Sequence, residues 1–196
     1  MSLAQAREVF DLEARAIRAL GDGLDERFER VAELIGTCQG RVILFGVGKS
    51  GHIARKVAAT MASLGIPAFF VHAGECHHGD IGSIAADDLV IAISYGGESD
   101  EILTMLPVIR DIGATLVAIT GKPDSTLGRE AHTALDIGPD LGEGMPGWTH
   151  LSSIAASMAM GDALAIAAAT IRGVTKQAFA RYHPGGSFGK ELRAAS

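Results

Sequence analysis

Residues 41–52 read Arg-Val-Ile-Leu-Phe-Gly-Val-Gly-Lys-Ser-Gly-His, and this stretch decides how the rest of the chain is read. A short apolar run rich in β-formers ends in three glycines, Gly46, Gly48 and Gly51, and a helical pattern follows. Glycine lets a backbone turn sharply and lie close to a ligand, while a helix start offers free N–H groups at the positive end of its dipole. The stretch therefore predicts a strand–loop–helix anion site, most often a phosphate site. Whether the phosphate belongs to a nucleotide, a dinucleotide or a sugar is open at this point.

The surrounding pattern extends the same unit. Apolar runs at residues 42–45, 68–71, 89–93, 115–119 and 134–137 read as strands with apolar residues on both faces, as in a buried parallel sheet. Helical periodicity occupies 52–64, 100–112 and a shorter segment near 126–131. Two helices at 3–20 and 24–37, parted by Gly21-Asp22-Gly23, precede the alternation, and helices at 151–171 and 175–181 follow it. Strand–helix alternation predicts an α/β class fold, a doubly wound five-stranded parallel sheet in flavodoxin-like order with right-handed crossovers and helical extensions at both ends. We expect one structural domain, with residues 1–39 as a helical segment and 40–196 as the α/β unit.

The bulk properties agree with a globular, small-molecule protein. The chain has 196 residues, 47% of them hydrophobic and 20% charged, which is enough to bury a core. Its formal net charge of −6 argues against nucleic acid as a partner, since that footprint is basic. Arg7, Glu8, Asp11, Glu13 and Arg15 interrupt the first twenty residues and exclude a signal peptide's apolar stretch. Cys38 and Cys76 lack C-x-x-C spacing and read as free thiols of a reduced cytoplasm. The apolar segment 151–171 invites a transmembrane reading, but its Ala/Ser richness and Asp162 suit a buried helix, with a subunit interface as one setting. No membrane association is expected.

The glycine loop formally matches Gly-x-Gly-x-x-Gly, yet a dinucleotide site also needs an acid at the end of the second strand. Glu75 is the candidate, and His72-Ala73-Gly74 intervene before it. A Walker loop would need glycine where Ile43 stands. A second loop, Ser94-Tyr95-Gly96-Gly97-Glu98-Ser99, follows the third strand, and in this topology it faces the first across the crevice between strands one and three. Two loops carrying serines suit a single phosphate held by N–H and O–H donors. Ser99 also fits an ordinary helix N-cap. His72, Glu75, Cys76, His77, His78 and Asp80 have a metal-like composition, but the spacing is too dense for a zinc site; a histidine there is better read as a proton-transfer group. His183-Pro184-Gly185-Gly186 reads as a turn, and Ser152-Ser153 opens the long apolar helix as a third potential anion contact.

The run Gly46-Val-Gly-Lys-Ser-Gly-His, the stretch Phe69-Phe-Val-His, the loop His78-Gly-Asp-Ile-Gly, Ser94-x-x-Gly-Glu-Ser, Met160-Gly-Asp-Ala-Leu-Ala and His183-Pro-Gly-Gly together resemble sugar-isomerase (SIS) domains. More narrowly they resemble arabinose 5-phosphate isomerases, collinearly from about Gly40 to Leu192. Many such proteins continue into a pair of CBS modules, and the chain is expected to be a short form without them. The resemblance implies aldose–ketose interconversion of a sugar phosphate, with arabinose 5-phosphate and ribulose 5-phosphate the usual pair. No cofactor or metal is expected. It implies catalytic roles for Lys49, His78, Glu101 and His183, and phosphate or substrate contacts from Gly48, Ser50, Ser94, Gly97, Ser99, Ser152 and Ser153. It also implies a homo-oligomer, a tetramer whose sites are shared between subunits.

Three departures from the family pattern fall on anion- or sugar-facing loops. Tyr95-Gly96 replaces an x-Ser pair, the stretch 149–155 keeps only the central Ser152-Ser153, and Gly142-Glu143-Gly144-Met145 shifts a glutamate by one place. Tyr95, Glu143 and His150 are therefore candidate specificity residues, and a substrate differing from arabinose 5-phosphate in length or anionic end is expected. The competing reading is a non-catalytic sugar-phosphate sensor. Retention of Lys49, His78, Glu101 and His183 weighs against it, because a sensor needs anion donors but no proton-transfer set.

Overall fold

The computed structural model describes residues 2–138, 150–185 and 189. Two helices open the chain, α1 (Ser2–Asp22) and α2 (Glu26–Thr37). The α/β unit follows as β1 (Val42–Gly46), α3 (Gly48–Ser63), β2 (Ala68–His72), two short 3-10 turns (Glu75–His78 and Asp80–Ser83) and β3 (Leu89–Ile93). It continues with α4 (Asp100–Leu103), α5 (Leu106–Ile112), β4 (Thr115–Thr120), α6 (Thr126–Glu130) and β5 (Thr133–Asp136). The last elements are α7 (Leu151–Ile171) and α8 (Lys176–Arg181).

All five strands pair in parallel in the order β2-β1-β3-β4-β5, as expected from strand–helix alternation. Central β1 and β3 are buried along their whole length. Edge strand β2 is only partly buried, so the expectation of two buried faces fails there. One core joins the sheet to α2, α3 and α7 through Ile35, Leu44, Val57, Ile91 and Leu164. The second lies on the other face, under the 3-10 turns and α4–α6, around Phe45, Val90, Ile102, Ile109 and Leu127.

Several boundaries move for physical reasons. The first helix runs two residues past its expected end, to Asp22, so that only Gly23 of the Gly21-Asp22-Gly23 break lies between the helices, and the Asp25 carboxylate accepts the Arg27 N–H at 2.9 Å and caps α2. Helix α3 starts four residues earlier than its apolar periodicity indicates, so Gly48, Lys49 and Ser50 form its first turn. The segment 100–112 is two helices, with Pro107 at the start of the second, where a missing N–H costs nothing. The fifth strand lies one residue earlier, at Thr133–Asp136.

Helix α7 has the length and composition to cross a membrane, with mean hydropathy 1.7. It packs instead against α1, α2 and α3, burying Ala155, Ala156, Met160, Leu164, Ala165 and Ala168. A Cβ at Gly161 would overlap Val57 of α3, so this glycine permits the close helix–helix approach. A helix apolar on all sides finds its place as a core helix. The N-terminal pair, packed on the same helix, shares the core of the α/β unit.

Candidate active site

In a sheet ordered 2-1-3-4-5, a crevice opens beyond the carboxyl ends of β1 and β3, where the connections leave on opposite faces. The glycine loop forms one side. A Cβ at Gly46 would sit 3.3 Å from the Ile93 carbonyl oxygen and 3.3 Å from the Gly51 nitrogen. Gly46 and Gly51 thus let α3 seat directly on the end of β1. Gly48 has φ 55°, a conformation side-chain-bearing residues rarely adopt. Gly48 and Lys49 are exposed and Ser50 half-buried, placing a cation and a hydroxyl among the unsatisfied N–H groups of a helix start.

The loop after β3 forms the other side, and it is held from within. Ser94 is buried; its hydroxyl oxygen accepts the Gly97 N–H at 3.2 Å and lies 3.2 Å from the Ser99 hydroxyl. Gly97 has φ 66°, and a Cβ there would overlap the Ser125 side chain. Ser99 occupies the N-cap position of α4, but its hydroxyl makes no cap bond and pairs with Ser94 instead. Glu98 turns away from this pair. Its carboxylate accepts the Thr126 N–H at 2.7 Å, and the Thr126 backbone and hydroxyl hold it below the usual carboxylate range. Glu98 therefore caps α6, whereas Glu101 stands exposed in the first turn of α4.

His78 is exposed at the end of the first 3-10 turn, on the loop leaving β2 at this same edge of the sheet. The metal-like cluster around it disperses: the His72 Nδ1 accepts the Gly74 N–H at 3.2 Å, and Cys76 is buried. Burial, with Asp80 nearby, pushes the Cys76 thiol up to about 11. Among the described residues no three His, Cys, Asp or Glu side chains are grouped to hold a metal ion. A groove of about 560 Å³ flanks β2, lined by Arg55, Phe70, His72 and Glu75 among others. It contains none of the predicted anion-contacting residues.

The start of α7 gives a mixed result. Ser152 and Ser153 are both buried. The Ser153 hydroxyl donates to the His150 carbonyl at 3.2 Å, so its hydrogen stabilises the helix start rather than facing an anion. Tyr95 and His150 come together, ring centroids 5.9 Å apart at 30°. Glu143 lies outside the described residues.

His183 is not brought to this crevice within one chain. It follows α8, next to Tyr182, whose ring would be 2.6 Å from a Cβ on Gly65, just past the carboxyl end of α3. Lys49 stands at the other end of that 16-residue helix, about 24 Å away at 1.5 Å per residue. The His183 ring stacks on Phe179, centroids 4.2 Å apart, and its Nδ1 lies 2.9 Å from the Phe179 carbonyl oxygen. A carbonyl only accepts, so Nδ1 carries the hydrogen in this contact.

Residues at the carboxyl end of β4 escaped the sequence reading. Thr120 is buried, with its hydroxyl donating to the Tyr95 carbonyl at 3.0 Å, and the Gly121 N–H donates to the same oxygen at 3.0 Å. A Thr-Gly pair at the carboxyl end of a predicted strand was the available signal.

The SIS domain family matches residues 37–167. The chain is 44% identical over 186 residues to arabinose 5-phosphate isomerase KdsD of Yersinia pestis and 43% identical over 187 residues to its Escherichia coli K12 counterpart. Each alignment covers 95% of this chain and 57% of the relative, so the chain spans little more than half their length. Among solved structures, an E. coli CFT073 protein in complex with arabinose 5-phosphate superposes with TM-score 0.87 at 37% identity, covering 91% of this chain and 95% of the other.

Proposed function

The chain belongs to the SIS domain family, and on that premise we propose that it is an aldose–ketose isomerase interconverting arabinose 5-phosphate and ribulose 5-phosphate. The observation that carries the reading is the two-sided crevice: Lys49 and Ser50 on the first turn of α3 face the Ser94–Ser99 loop across the β1/β3 switch point. Helix N–H groups and serine hydroxyls there suit a phosphate. The names of the relatives, and the arabinose 5-phosphate bound by the E. coli CFT073 protein, favour this sugar over the differing substrate expected from the loop departures.

Isomerisation needs a base that removes the C2 proton and returns it to C1, and positive charge for the enediolate oxygen. Glu101 and His78 are the proton-transfer candidates of the crevice, with Lys49 facing the developing negative charge. His183 would join them only from a second copy of the chain. A homo-oligomer with shared sites, a tetramer in this reading, meets that requirement. Met158 and Ile166, exposed on α7, are apolar positions such a contact would cover. The protein would act in the cytoplasm.

Proton-exchange NMR in deuterated water tests the proposal. Arabinose 5-phosphate should acquire deuterium at C2 and appear as ribulose 5-phosphate labelled at C1. Thermal stabilisation by the sugar without exchange would instead identify a sensor.

A further inference from the structure

Tyr95 follows Ser94 directly, yet the two side chains go to opposite faces of the sheet, as successive residues leaving a strand do. The Ser94 hydroxyl serves the anion loop through Gly97 and Ser99. The Tyr95 ring packs instead on the core shared with α3 and α7. It stands on the face where Lys49 and Ser50 open α3, so it lies beside the anion loop without belonging to it.

Its position is fixed at three points. The Tyr95 carbonyl accepts the Thr120 hydroxyl and the Gly121 N–H, each at 3.0 Å, tying it to the end of β4. The ring lies on Gly121: a Cβ built there would have the Tyr95 ring as its nearest neighbours, with Cζ only 2.8 Å away. The His150 ring, at the start of α7, lies nearby, its centroid 5.9 Å away at 30°, and Tyr95 is left half-buried. Gly121 has no conformational reason to be glycine, since its φ is not among the positive ones; the room it leaves is occupied by the ring.

The carbon chain of a sugar phosphate has polar hydroxyl edges and apolar C–H faces, and a rigid aromatic face packs against the latter. A wall whose position is set by backbone bonds and a glycine also limits how many carbons fit between it and the phosphate. We propose that Tyr95 is a specificity-determining residue: its half-buried ring, seated on Gly121 beside His150, is the wall met by the carbon chain of the substrate, and it sets the chain length accepted. The inference rests on the sugar-phosphate reading above.

Gly121 makes the test clean, because Gly121→Ala displaces the ring without altering Tyr95. Turnover of four-, five- and six-carbon aldose phosphates is compared for the wild type, Tyr95→Phe, Tyr95→Ala, Gly121→Ala and the Tyr95→Ala/Gly121→Ala double variant. One carbon against an apolar wall is worth about 10- to 200-fold in kcat/KM. The wild type should prefer the five-carbon sugar over the six-carbon one. That ratio should stay within about twofold in Tyr95→Phe and fall by at least about tenfold in both Tyr95→Ala and Gly121→Ala. Once the ring is gone, adding Gly121→Ala should change the ratio by less than about twofold, as expected when one residue acts through the other. Equal losses for all chain lengths would overturn the inference, as would a Gly121→Ala effect undiminished in the Tyr95→Ala background. A wild type that turns over none of these sugars overturns the functional reading and this inference with it. An active wild type whose length preference ignores Tyr95 sinks the inference alone.

Discussion

The two ends of this sheet use polar residues in opposite ways. At the amino ends of β1 and β3, Asp88 has a side chain only 2% exposed, and donors surround it. The Arg41 N–H, Arg41 Nε, Arg41 Nη2 and Ala85 N–H reach its two oxygens at 2.7, 3.2, 2.7 and 2.9 Å. Burial alone would push this carboxyl up, but those hydrogen bonds outweigh it and hold it below the usual range. At the carboxyl ends the same strands run into Lys49 and Glu101, and β2 into His78, all exposed. There the internal bonds, Ser94 to Gly97 and Ser99 and Glu98 to Thr126, hold the backbone while charged side chains face the solvent. One edge locks the strands together, and the other keeps charge available for a ligand.

That division predicts effects of different kind at the two edges. Lys49→Ala should lower kcat for the sugar phosphate by about 10²–10³, the usual loss for one group facing developing negative charge. Its melting temperature should stay within about 2 °C, because an exposed side chain away from packing rarely moves stability by more than about 0.5 kcal/mol. Full activity in this variant would break the contrast. Asp88→Ala should do the reverse. Removing the buried carboxylate takes the acceptor from the Arg41 and Ala85 N–H groups, at a cost of about 1–3 kcal/mol, a fall of roughly 2–12 °C for a chain of this size. Its kcat, measured well below that temperature, should match the wild type. A calorimetric melt paired with an initial-rate assay reads both quantities.

How much was legible beforehand follows the same line. Strand order and the switch-point crevice could be read because buried parallel strands leave continuous apolar runs and glycine marks a close approach. Helix α7 could be delimited to the residue, since its apolar run is long and Asp162 alone carries charge in it. The start of α3 could not, because Gly48-Lys49-Ser50 carries no apolar periodicity and is helical through the packing of Gly51 on Gly46. The Ser99 hydroxyl looked like a cap from its position alone, and only the fold brings it opposite Ser94. His183 marks the deepest limit. Its motif says that it matters, but the chain places it a helix length away from Lys49, and no local pattern encodes which copy it would serve.

The smallest predicted effect lies where the two uses of a carboxylate meet, at Glu98. It sits in the anion loop by sequence, yet its bond to Thr126 makes it structural, like Asp88. Its folded pKa is lowered from the ordinary 4.5 by the Thr126 backbone and side chain, so folding favours the ionised form. The sign follows from linkage: the stabilisation is fully present above 4.5 and fades as pH falls through the lower folded value. Glu98→Gln keeps an acceptor oxygen for the Thr126 N–H but does not titrate. The stability gap between wild type and variant, followed by urea melts from pH 7 to pH 3, should narrow as the solution is acidified, while kcat at pH 7 changes by less than about threefold. A gap that stays constant with pH would show that the charge on Glu98 contributes nothing to the cap. A large loss of kcat with no loss of stability would move Glu98 from the scaffold to the ligand side of the loop.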